Sequence, residues 1–121
     1  MANLGDVQRL ALALPGAVED GPRYLVGGKL FAWPWLERVD PKKARVANLD
    51  VYVVRVASEA VKFELAASEP EVFFTEPHFD GYAAVMVRLA AVSMPRLREL
   101  LRDAWRLRAP KDLLERSGPS G

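Results

Sequence analysis

A chain of 121 residues, half of it hydrophobic and 27% charged, has the length of one domain and is too apolar to stay disordered. Cysteine is absent, which excludes disulfides, thiolate nucleophiles and zinc–cysteine centres. The net charge is +1 and the pI about 8.1, so any nucleic-acid footprint must come from uneven charge, not bulk charge.

A chain this long buries roughly two-thirds of its unfolded surface, enough for one core without staples. Arginine outnumbers lysine, and asparagine and glutamine occur only at Asn3, Asn48 and Gln8. Thermophile proteins and GC-rich genomes share that bias. The first residues lack a basic region followed by a long apolar run, and no window holds 18 uninterrupted apolar residues. A cytoplasmic protein with no leader and no membrane span is therefore expected.

Residues 3–14 predict a helix, with Leu4, Val7, Leu10, Ala11 and Leu14 at helical spacing. Asn3 can cap it, and Pro15-Gly16 stops it. Residues 23–33 predict a hairpin around Gly27-Gly28, which can supply the positive φ angles of a two-residue turn. Residues 34–48, punctuated by Pro34 and Pro41, read as irregular. Residues 49–56 are β-rich. Ser58 caps a helix to about Ala67 whose apolar residues do not line one clean face. Residues 72–75 predict a short strand, 76–82 a loop, and 83–89 a half-buried alternating strand.

Ser93 caps the last long helix, whose buried face is Leu97, Leu100, Leu101, Ala104 and Trp105. Pro110 ends it, and Lys111 to Arg116 add one further turn. The small polar tail 117–121 should be frayed, leaving 1–116 as a single domain. The order α-β-β-β-α-β-β-α predicts an α/β (α+β) domain with an antiparallel sheet of about five strands and helices on one face.

Chemistry-bearing residues are sparse. His78, the only histidine, lies between Glu76 and Asp80 at alternate positions. That pattern reads as a ligand set or acid–base group, or as a loop histidine tying down a turn. Metal sites normally recruit more than one nitrogen or sulfur ligand, so no metal, cofactor or catalytic residue is assigned. No nucleophile elbow and no phosphate-loop motif occurs. Arg38, Lys42, Lys43 and Arg45 form a basic run that could contact phosphates or be a solvated loop. Arg98, Arg102 and Arg106 form a helical stripe beside Glu99 and Asp103, a phosphate rail or a salt-bridged outer face. Phe31, Trp33 and Trp35 alternate, so they would share a face if the segment stays extended through Pro34. Such a face packs a core or stacks bases.

Four pieces in order carry a resemblance. They are Leu14-Pro15-Gly16, then Val26 to Phe31, then Pro77-His78-Phe79 with Gly81-Tyr82, then Ala104 to Leu107 with Ala109-Pro110-Lys111. Together they resemble the MmcQ/YjbR family, from about Leu4 to Leu114. The resemblance implies a CyaY-like fold with a double-wing arrangement of strands and a DNA partner. It implies no catalytic residues. Lys29 in the Gly27-Gly28 hairpin would belong to one wing and the segment 38–45 to a neighbouring surface. His78 and Tyr82 match positions the family tends to keep. Many relatives carry a His-Trp pair just after the loop, where this chain has Ala83-Ala84.

The expected function is non-catalytic, weak and largely sequence-independent DNA binding. The candidate cations are Lys29, Arg38, Lys42, Lys43, Arg45, Arg102 and Arg106. The alternative, favoured by the near-neutral charge and the aromatic face, is a module that binds a protein or a small ligand.

Overall fold

The computed structural model describes residues 2–37, 42–79 and 81–117, and only the backbone of residues 37, 78, 116 and 117. The helix α1 (Leu4–Leu12) starts where it does because Asn3 and Asp6 cap each other. The Asp6 amide donates to Asn3 Oδ1, and the Asn3 amide donates to the Asp6 carboxylate, each at 3.0 Å. The chain then runs through β1 (Val18–Asp20), β2 (Arg23–Val26), β3 (Lys29–Glu37), β4 (Val46–Arg55) and α2 (Glu59–Ser68). Next come β5 (Phe73–Phe74), a 3-10 turn (Pro77–Phe79), β6 (Ala84–Arg88), α3 (Met94–Arg108) and α4 (Lys111–Ser117). Residues 118–121, most of the expected tail, lie outside the described residues.

The strands form one antiparallel sheet in the order β1-β2-β3-β4-β6-β5. Six strands replace the expected five or so. The additional strand, β1, has three exposed residues and no apolar period, so only its pairing with β2 defines it. The region read as irregular is a correction. β3 continues through Pro34 to Glu37, and β4 begins at Val46. Pro34 is tolerated inside the strand because the register breaks immediately after it. Pro34 lies opposite Tyr52, whereas Trp35 lies opposite Asn48.

One face of the sheet carries the main core. Tyr24, Val26, Phe31, Tyr52, Val54, Val85 and Val87 pack there against α1 and α3. Tyr52 Oη donates to the Pro22 carbonyl at 2.7 Å, closing the core towards the β1–β2 turn. At the β2–β3 turn, Gly27 and Gly28 both adopt positive φ, as the sequence implied. A Cβ on Gly27 would sit 2.8 Å from Pro110 Cγ, so a side chain there would push the hairpin off the link between α3 and α4.

Burial raises the pKa of both core tyrosines. Glu19 adds to the effect at Tyr24, and Tyr24 adds to it at Tyr52. Unfolded tyrosines ionise near pH 10, while the folded ones keep their protons to higher pH. The stability they contribute is therefore complete below about pH 10 and is lost as pH rises through the folded values. The unfolding free energy from denaturant titrations between pH 9 and pH 11 should fall, by up to about 1.4 kcal/mol per pH unit for each tyrosine. The double change Tyr24→Phe and Tyr52→Phe should flatten that fall.

Candidate nucleic-acid interface on the open sheet face

Alternation sends every second residue of β4 and β6 away from the helices. Val51, Val53 and Arg55 share that second face with Ala84, Met86 and Arg88. Trp33 is paired with Val53 and joins them. A smaller core forms here. Val53, Ala84 and Met86 are fully buried beneath the half-buried rings of Trp33, Trp35, Phe74 and Phe79. Trp35 meets Phe74 edge to face with centroids 5.5 Å apart. The Arg88 guanidinium lies 4.3 Å from the Phe74 centroid and donates to the Pro70 carbonyl.

Phe31 does not share this face with the two tryptophans, contrary to the alternation read from sequence. A register shift between Tyr24 and Leu25 leaves Phe31 as the extra residue on β3. Phe31 and Ala32 then both turn into the main core. Trp33 and Trp35 stay together because β3 alternates without interruption through Pro34; the second shift takes up its extra residues, 49–51, on β4.

Beside the tryptophans the face hollows into a concavity of about 680 Å³. Its cations are Arg23, Lys29, Arg55 and Arg108, and its rings are Trp33, Phe79 and Tyr82. Leu25, Leu30 and Gly28 complete the wall. Among the described residues that line it, none is a carboxylate. Arg23 is partly neutralised by an ion pair with Asp20. Arg108 comes from the last turn of α3, and its Nε is buried without a hydrogen-bond partner. Tyr82 is 56% exposed and meets Phe79 edge to face with centroids 6.1 Å apart.

The cations singled out in the sequence are spread over three places. Lys29 lies in the concavity. Lys42, Lys43 and Arg45 lie past the other end of β3, about 26 Å away along an extended strand. All three are exposed, and Arg45 donates to the Leu36 carbonyl at 3.1 Å. Arg102 and Arg106 are on α3, on the far side of the sheet. Arg106 lines a cleft between α2 and α3 with Asp103 and Glu99. Arg38 lies outside the described residues, as does Asp80. Of His78 only the backbone is placed, in the 3-10 turn. Among the described residues no group of three His, Asp or Glu could hold a metal ion.

Four site residues were not singled out from sequence: Arg23, Arg55, Arg108 and Phe79. Arg55 carried a signal. It ends an alternation, Val51, Val53, Arg55, in which a cation replaces an apolar residue at the strand's end.

The YjbR family profile matches residues 12–107 of the chain. The chain belongs to the YjbR family. Uncharacterised proteins of Mycobacterium bovis and Mycobacterium tuberculosis are 43% identical to this YjbR chain over 122 residues, covering 95% of each partner. No solved structure gives a significant match. Among the described residues of this YjbR member, no helix is long and apolar enough to cross a membrane.

Proposed function

We propose that the protein binds single-stranded nucleic acid across the open face of its sheet, without catalysis and with little sequence preference. The observation that carries this reading is the segregation of charge. The chain has 17 lysines and arginines against 16 acids, yet the described lining of the concavity holds four cations and no carboxylate. The exposed ring of Tyr82 and the half-buried rings of Trp33 and Phe79 lie among those cations. Base–aromatic stacking contributes about 1–3 kcal/mol per base and tolerates any base, while the cations neutralise the backbone. A duplex buries its base faces and cannot use the rings, so the strand is single.

The test is fluorescence anisotropy with a short oligothymidylate and a duplex of equal length over a salt series. Three to four phosphates neutralised on a single strand give a log–log salt slope of about −2 to −3. Dissociation constants of about 10⁻⁴ to 10⁻⁶ M are expected at physiological salt. Failure to bind either form at low salt would overturn the reading in favour of a protein- or small-ligand-binding module.

One observation favours a second reading. Residues 35–37 of β3 pair only with 46–48 of β4, so this arm projects past its neighbours and carries Lys42, Lys43 and Arg45 beyond it. A two-stranded ribbon fits the major groove. That is the wing contact the family resemblance implies, and a preference for duplex in the same assay would support it.

A further inference from the structure

Lys62 is the one fully buried charged residue among those described, and it sits on α2, outside the concavity. Its ammonium group donates to the Phe79 carbonyl at 3.0 Å and to the Tyr82 carbonyl at 2.9 Å. It also forms an ion pair with Glu59, whose Oε2 is 3.6 Å away. The same Glu59 oxygen accepts the Gly81 amide at 3.0 Å. Gly81 has φ +88°, a conformation that favours glycine. Two side chains one helical turn apart thus hold three successive points of one loop.

A buried ammonium without partners would be strongly disfavoured, whereas here two carbonyls accept its hydrogen bonds and the Glu59 carboxylate pairs with its charge. The chain nevertheless carries a lysine where an apolar residue would pack without that requirement. What the lysine holds explains the choice. Phe79 and Tyr82 are two of the three rings of the concavity, and they stand on a loop outside the sheet. Its described backbone bonds are local turns, from the Phe79 amide to the Glu76 carbonyl and from the Tyr82 amide to the Phe79 carbonyl.

We infer that Lys62, with Glu59, is a clamp that sets the aromatic lip of the binding face. It is a positioning residue that touches no ligand. The inference deepens the single-strand reading and rests on it for the effect on affinity. The clamp itself is tested without nucleic acid.

Lys62→Met keeps the length of the stem and removes the donors. Glu59→Ala is the second variant, at a position where the side chain is 44% exposed and the fold is not at risk. Amide exchange is followed by NMR in the unliganded protein. In both variants the Gly81 and Tyr82 amides should exchange at least about tenfold faster, while the β4 and β6 amides stay protected. Oligothymidylate affinity should fall about tenfold with the salt slope unchanged, because no phosphate contact is lost. Glu59→Gln keeps an oxygen for the Gly81 amide and should restore most of its protection.

Unchanged exchange at both amides in Glu59→Ala would overturn the clamp. So would a loss of affinity accompanied by a shallower salt slope, since that places the clamp residues on phosphates. Faster loop exchange in a protein that binds no oligonucleotide would leave the clamp standing and remove the single-strand reading alone.

Discussion

Replacing Trp105 by alanine should cost 3–5 kcal/mol, near the top of that range. Trp105 is the largest fully buried side chain, 1% exposed, on the face of α3 that meets the sheet and α1. Truncation loses the transfer free energy of the indole and leaves a void that the surrounding strands cannot fill. It also removes a hydrogen bond. Nε1 donates at 2.8 Å to the Pro15 carbonyl, 90 residues away in sequence, and so pins the turn after α1 to the middle of the core. Leaving that carbonyl without its donor adds about 1 kcal/mol or more. Against a total stability of about 5–15 kcal/mol, the variant should be partly unfolded at physiological temperature. Urea denaturation followed by circular dichroism checks this. Trp105→Phe, which keeps a ring but not the donor, should lose clearly less. A loss below about 1 kcal/mol for the alanine variant would mean that the indole is not part of the core.

The parts of the fold that were legible in the sequence are those in which side-chain period and backbone punctuation agree. α1 and α3 each combine an apolar stripe with a capping residue, Asn3 and Ser93, and both lie where that pattern predicts. The hairpin at Gly27-Gly28 is legible for the same reason. β1 was not, because an exposed edge strand of three residues needs no pattern. The arm of β3 and β4 was hidden by Pro34. A proline argues against a central strand, and only the register break beside it makes the strand possible. That break depends on the partner strand and leaves no local trace.

The site was less legible than the fold, for a related reason. A face built from alternate residues is readable only while the alternation holds, and it breaks twice, on β3 at Phe31 and on β4 opposite the step from Pro34 to Trp35. Lys62 left a faint sign. The helix at 58–67 showed no clean apolar stripe, and the position its buried face turns on is that lysine. A charge in the middle of a short apolar helix reads as solvated until the carbonyls of Phe79 and Tyr82 are seen around it. The cations of the concavity come from β2, β3, β4 and α3, and no sequence spacing links them.

Charge reversal at two of those cations should separate the open face from the arm more sharply than any other pair of variants. Lys29 is exposed at the head of β3, and Arg55 ends β4 on the open face, so glutamate at both positions should leave the main core untouched. Two phosphate contacts are lost, which makes the single-strand salt slope shallower by about 1.4. The two new carboxylates then repel the backbone inside a concavity whose described lining had none. At low salt the affinity for oligothymidylate should drop by about a hundredfold or more, about 2.7 kcal/mol. Lys42→Glu with Lys43→Glu makes the same change in net charge at the far end of β3, on an exposed turn that tolerates it. If bulk charge alone governed binding, the two double variants would be equivalent. With the strand lying across Trp33 and Tyr82, the second pair should change oligothymidylate affinity less than about threefold and affect duplex binding, where present, far more. Equal losses from both pairs would show that neither the rings nor the concavity selects the single strand.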